Sequence, residues 1–136
     1  MMASQETNGE VDVQLKLVRF ERDPGEVTAL LGVAPSKVWC KGDNIGGSTR
    51  RYDGNGWRVT ADRRAADVES GVDALLAHLA PSWDRLRAFS KECHSELSIV
   101  IYARAQMPAI HLRFDQIERF AELAAHLDVD VYCMGG

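Results

Sequence analysis

Lys37 to Trp57, KVWCKGDNIGGSTRRYDGNGW, is the one stretch of this sequence where backbone freedom, concentrated positive charge and aromatic rings coincide. Successive backbone N–H groups in a glycine-rich loop can form an anion-binding nest. The phosphate-binding loop, however, needs GxxxxGK[ST] between a strand and a helix. Here Gly42 and Gly47 have half of that spacing, but Ser48-Thr49-Arg50 and then a strand follow. A hairpin loop rich in turn residues is the stronger reading. Arg50 and Arg51 have the chemistry to grip a carboxylate or phosphate through two parallel hydrogen bonds, against the plainer reading of a solvated pair. Lys41 and Asp43 flank Gly42, where an Asp commonly bonds its own backbone and fixes the turn. Trp39 and Trp57 fall on two facing strands, where cross-strand or core packing outweighs a ligand wall.

Elsewhere the reactive residue types do not assemble. His78, His94, His111 and His126 show neither HxxxH nor HExxH spacing, so no helical metal site is expected. Cys40, Cys93 and Cys133 are widely spaced and lack a CxxC pair, which suggests neither a disulfide framework nor a zinc ribbon. Each is expected to be a small buried hydrophobe; a Cys133–His111 couple would need the fold to bring the two together. Glu92 and Glu96 flank the loop before the central strand, Asp128 and Asp130 flank the last one, and Tyr102 and Tyr132 are expected on one outer sheet face. Tyrosine is enriched at interfaces, so that face is a second candidate surface beside an ordinary solvated one. No catalytic residues and no cofactor are expected.

The elements that must position these residues follow from hydrophobic periodicity. Val11, Val13, Leu15 and Leu17 alternate with Asp12, Gln14 and Lys16, the period of a strand with one buried face. Asp23-Pro24-Gly25-Glu26 is a helix start, with Val27, Leu30 and Leu31 as its buried stripe and Gly32 as its stop. Lys37–Cys40 and Trp57–Ala61 read as a pair of strands around the loop. Val68, Val72, Leu75, Leu76 and Leu79 have helical spacing. Pro81 predicts a kink or a break with restart, after which Trp83, Leu86 and Phe89 continue the stripe. Leu97–Ala103 is apolar on both faces near its middle, as a central strand would be. Ala109 to Leu112 is expected as a short extended piece. Asp115–Glu118 reads as a second capping box, leading a helix with Ile117, Phe120, Leu123, Ala124 and Leu127 on its inner face. Val129, Val131 and Cys133 then alternate as a last strand.

The order strand, helix, two strands, kinked helix, strand, helix, strand predicts an α+β sandwich. Its first six elements match the ferredoxin-like split β-α-β pattern (β-α-β-β-α-β), extended by a C-terminal helix and strand, with helices mainly on one face of the sheet. Residues 1–10 read as a mobile tail and 11–136 as a single domain, a length that supports one core. Apolar and charged fractions of 46% and 26% are ordinary for a globular chain. No apolar run approaches the ~20 residues that cross a bilayer, and MMASQETNGE lacks the apolar core of a signal peptide, so the default expectation is cytoplasmic. A net charge of -4 argues against a general nucleic-acid binder. The charge is uneven: Lys41, Arg50, Arg51, Arg58, Arg63 and Arg64 outnumber three carboxylates within 41–64, a local +3 that leaves -7 for the remainder. That asymmetry suits an anionic target at one edge.

The segments LLGVAPSKVWCKGD and RRYDGNGW, and a C-terminal helix running into LDVDVYCM, occur in this order. On these pieces, chiefly Leu31-Gly32, Pro35, Trp39, Lys41-Gly42-Asp43, Trp57 and Asp130-Val131-Tyr132, the chain resembles the bacterial domain-of-unknown-function family 4279 from about Val11 to Met134. The resemblance implies a small α+β domain with no established catalytic residues, in some settings a component of toxin–immunity systems. The reading is a non-enzymatic protein-binding module, with an immunity-type protein masking a bacterial toxin as its specific form. The binding candidates are Trp39, Lys41, Asp43, Arg50, Arg51, Trp57, Tyr102 and Tyr132. The alternatives are a sensor or enzyme for a small anionic ligand, such as a nucleotide or phosphorylated metabolite, using loop 41–56, and a structural homodimer. No membrane partner is expected.

Overall fold

The computed structural model describes residues 9–61 and 63–135, so the tail expected at 1–10 lies almost wholly outside the described residues. Five strands form one mixed sheet in the order β2-β3-β1-β4-β5, with β1 Glu10–Val18, β2 Lys37–Trp39, β3 Gly56–Thr60, β4 His94–Ala103 and β5 His126–Cys133. The helices are α1 Pro24–Leu31, α2 Val68–Leu79, α3 Trp83–Phe89 and α4 Phe114–Ala121. All neighbouring strands are antiparallel except β4 and β5, which are parallel and joined through α4. The α+β class is as expected. The five-strand order, with a parallel strand at one edge, goes beyond a four-stranded ferredoxin-like sheet.

Alternation decides the layers. Leu15 of β1 stands opposite Val59 on one side and Leu97 on the other, and Val13 stands opposite Ile99. These residues join Val27, Leu31, Val72, Leu75, Leu79, Leu86 and Phe89 of the helices in one buried cluster. At about 25 cal/mol per Å² of apolar surface removed from water, this cluster is the main stabilising term. The alternate residues of the same strands face away from it.

Local chemistry sets the helix ends. Asp23 Oδ2 accepts from the N–H of Gly25 at 2.9 Å, and Gly32 closes α1 at φ 71°, the left-handed conformation that costs glycine least. Asp67 caps α2 by accepting from Ser70 N at 2.8 Å; the Ser70 hydroxyl, donating to Asp67 Oδ1 at 2.7 Å, and after it this N–H lower the Asp67 carboxyl pKa. Pro81 breaks the long helix as expected: Ala80–Ser82 is a 3-10 turn, and α3 restarts at Trp83. The segment 109–112 has no regular structure, contrary to the expected extended piece.

The start of α4 is a correction. Its N-cap is Arg113, not Asp115, and Gln116 Oε1 accepts from Arg113 N at 3.0 Å. Of the expected inner face, Phe120 and Leu123 are buried, but Gln116 is buried with them, Ile117 is 55% exposed, Ala124 is exposed and Leu127 already belongs to β5. The cause is polar. Gln116 Nε2 donates to the Glu69 carbonyl and to Asp73 Oδ1, both at 2.9 Å. Arg113 donates to Glu69 Oε2 at 2.9 Å, Asp73 Oδ1 at 2.8 Å and Asp115 Oδ1 at 3.0 Å. This clasp docks α4 on α2 through a buried amide that hydropathy would place outside.

Gly56 shows how closely β2 and β3 pack. The Trp39 indole lies over it, so a Cβ added at 56 would fall about 2 Å from the ring. We expect Gly56→Ala to lift Trp39 off the sheet and off its stacking partner, lowering stability by about 1 kcal/mol; near-UV circular dichroism and urea unfolding measure both effects. The clasp has a pH signature. Hydrogen bonds from Arg113 lower the pKa of the Asp73 and Asp115 carboxyls. Their stabilisation is therefore complete above the unfolded value of about 3.9 and is lost as pH falls through the lower folded values. Thermal melting between pH 7 and pH 2 should show Arg113→Ala losing less stability with acid than wild type.

Candidate functional site

The glycine-rich stretch folds as a closed hairpin arm between β2 and β3. Gly42 N bonds Tyr52 O at 2.9 Å, Tyr52 N bonds Asp43 O at 2.9 Å, and Ile45 N bonds Arg50 O at 2.8 Å. These backbone groups are used within the arm, as the turn-rich hairpin reading expects. Asp43 Oδ2 accepts from Cys40 N at 2.8 Å and so fixes the turn. Arg51 Nη1 donates to the Gly42 carbonyl at 2.8 Å, which ties it to its own loop, while Arg50 is exposed. Lys41 is exposed and anchored by its N–H to Asn55 Oδ1 at 2.8 Å. With Arg19, Asp53 and Asn55 it lines a cleft of about 230 Å³.

Trp39 and Trp57 do not meet as a cross-strand pair. The register sets Trp57 opposite Val38, so the two indoles point to opposite faces of the sheet. Trp57 is fully buried and its Nε1 donates to Thr28 Oγ1 at 3.0 Å. It is a core residue and cannot touch a partner. Trp39 stacks on Tyr52 with ring centroids 5.0 Å apart, and Lys37 Nζ lies 5.9 Å from the Trp39 ring.

Tyr102 and Tyr132 share a face, as expected. They are register partners on β4 and β5, stacked at 5.8 Å. The Arg64 guanidinium lies 4.2 Å from the Tyr102 ring centroid and is paired to Glu10 at 3.0 Å. His94 and His126 also stack on this face, at 4.4 Å. Among the described residues no helix covers it, because the helices' buried apolar side chains belong to the core on the opposite side. The Tyr pair and the loop residues Trp39, Lys41, Asp43, Arg50 and Arg51 are therefore separate places, at opposite edges of the sheet.

The registers order this open face by charge. Lys37, Arg58, Lys16, Glu96 and His126 form one row across all five strands. Asp12, Val100 and Asp130 form another, and Asp128 stands beside Ser98. Cations thus gather at Lys37, Arg58 and Lys16 of β2, β3 and β1, and carboxylates at Asp12 of β1 and Asp128 and Asp130 of β5. Arg58 Nε and Ser98 Oγ are buried without a hydrogen-bond partner. Lys16, Lys37 and Arg58 were absent from the sequence candidates. Alternation indicated the face of Lys16, but only the strand register brings the three cations together.

The remaining reactive groups have structural surroundings. Burial raises the pKa of the Cys93 thiol, whose Sγ lies 3.8 Å from Ser95 Oγ. Cys133 is exposed on β5, contrary to the buried role expected for it, and Cys40 is half-buried. His111 Nε2 lies 3.8 Å from Glu69 Oε1. A hydrogen bond from Trp83 Nε1 at 3.0 Å, with Arg119 adding to it, lowers the pKa of the Glu122 carboxyl. Among the described residues no group of three His, Cys, Asp or Glu could hold a metal ion. Among the described residues no helix is long and apolar enough to cross a membrane.

Fold and surface together define a small α+β domain with helices packed on one side of a five-stranded sheet and a polar, aromatic-bearing sheet face on the other. The model of the family described as "Domain of unknown function (DUF4279)" matches residues 7–134, almost the whole chain. The chain belongs to that family. Neither the curated proteins nor the solved structures contain a match.

Proposed function

We propose that this chain is a non-enzymatic protein-binding module whose recognition surface is the open sheet face. The observation that carries the reading is that face itself: stacked Tyr102 and Tyr132 beside Asp12, Asp128 and Asp130, with no helix packed on it among the described residues. Rigid aromatic rings flanked by carboxylates suit a basic protein surface, where charge complementarity gives specificity and speeds encounter. In its specific form the partner is a bacterial toxin whose basic active surface is masked, and the chain is an immunity-type protein of the cytoplasm. The antiparallel run β2-β3-β1-β4 supports treating the first four strands as a ferredoxin-like unit to which α4 and β5 are appended. Affinity capture from a lysate of the native bacterium should enrich one basic protein with wild type and lose it with Asp12→Lys plus Tyr102→Ala. Equal capture by both would remove the open face from consideration.

A second reading rests on a different observation. Three cations, Lys37, Arg58 and Lys16, stand side by side on neighbouring strands, although like charges directly opposite destabilise a sheet. Arg58 Nε is without a partner, and Trp39 is one row away. A phosphate group seated there would neutralise the row. Tryptophan fluorescence should then change on titration with ATP or inorganic phosphate, and Arg58→Ala should abolish the response. No change in wild type would exclude this reading.

A further inference from the structure

β5 is an edge strand of an unusual kind. All eight of its residues are exposed, including those on its apolar side. Leu127, Val129 and Val131 continue the core rows of Leu97, Ile99 and Ile101, yet they are 57%, 39% and 42% exposed. On the adjoining helix, Phe114 is 76% and Ile117 55% exposed. Ile117 and Leu127 line a largely apolar cavity of about 140 Å³ between α4 and the sheet. Phe114 lies about one turn before Ile117 on α4. Of eleven large apolar side chains exposed among the described residues, nine fall between Met107 and Met134. A long, exposed apolar edge is a template for pairing, and natural sheets usually blunt such an edge.

The backbone of β5 shows how that edge can pair. Met134 N donates to Ala103 O at 2.7 Å, so even-numbered residues direct their N–H and C=O groups toward β4. Leu127, Val129, Val131 and Cys133 direct theirs to the free edge. An antiparallel two-fold pair of β5 strands must use these groups, and the carboxylates select its register. Centred on Val129, the pair would set Asp128 against Asp130 twice. Centred on Asp130, it would set Asp130 against Asp130. Both place like charges directly opposite. Centred on Val131, it sets Val131 against Val131, Val129 against Cys133 and Asp130 against Tyr132, and no carboxylate faces another. Registers shifted further toward the C-terminus pair fewer residues of β5.

We propose that two copies of this chain associate through antiparallel β5 edges, with the two-fold axis at Val131, into a continuous ten-stranded sheet. The occupant of the edge is a second copy because the strand is self-complementary in this register: apolar residues meet apolar residues on the core side, and carboxylates meet a phenol and Met134 on the other. Specific interfaces bury about 1,200 Å² or more, and the exposed Phe114 and Ile117 faces supply apolar area beyond the strand edge. The two open faces then lie on one side of the assembly, which does not depend on what either face binds.

Sedimentation velocity of the full chain across a concentration series tests the association. Wild type should sediment as a dimer, and Val131→Lys, which places two ammonium groups across the axis, should give a folded monomer with unchanged circular dichroism. The register has its own test, in a Cys40→Ser background treated with a short-arm bismaleimide. Val129→Cys should be cross-linked to Cys133 of the second copy, whereas the background chain should not be cross-linked. A wild-type monomer at every concentration would overturn the proposal, as would a dimer unmoved by Val131→Lys or an unlinked Val129→Cys. Because Asp12 and Tyr102 lie off this edge, loss of dimerisation and loss of partner capture are read separately.

Discussion

The structure depends on β1 being hydrogen-bonded along both edges. Its nine residues pair with β4 over their whole length and with β3 over their second half. This fixes the phase of three strands at once. A one-residue slip on either side would send Leu15 and Leu17 to the solvent face and Gln14 and Lys16 into the core. The helices bury their stripes against the face so defined, and the capping groups only set where each helix begins and ends.

The same constraint creates the open face. With the helices committed to one side, the alternate residues of the strands are left to water or to a partner. There the registers gather cations into one group and carboxylates into another. Neither group is encoded as a contiguous motif: Lys16, Lys37 and Arg58 come from three strands, and Asp12, Asp128 and Asp130 from two. The glycine-rich loop, the most conspicuous feature of the chain, instead consumes its polar groups internally. Asp43 and Arg51 hold the hairpin, and Asn55 ties it to the end of β1 by donating to the carbonyls of Phe20 and Arg22 at 3.2 Å and 2.9 Å.

The C-terminal third is built differently. α4 is only eight residues long, so its position depends on Phe120, Leu123 and the polar clasp of Arg113 and Gln116 rather than on a broad apolar stripe. Because α4 docks on α2 through that clasp, it leaves β5 largely uncovered. The exposed valines of β5 and the exposed ring of Phe114 are consequences of one docking geometry.

By itself, the sequence determined the α+β class, the order of the elements, the break at Pro81, the cap at Asp23, the hairpin between β2 and β3 and the family, because these rest on periodicity and short-range chemistry that neighbouring residues carry. Only the tertiary structure decided that Trp39 and Trp57 face opposite ways, that Gln116 is buried while Ile117 is not, and which charges stand side by side on the sheet. Each depends on the register between segments far apart in the chain. A shift of one residue reverses every side chain, and no local pattern specifies it alone. The exposure of β5 belongs here too: Val129, Val131 and Cys133 alternate like any half-buried strand, and whether a helix covers them was settled by where Arg113 found its carboxylates.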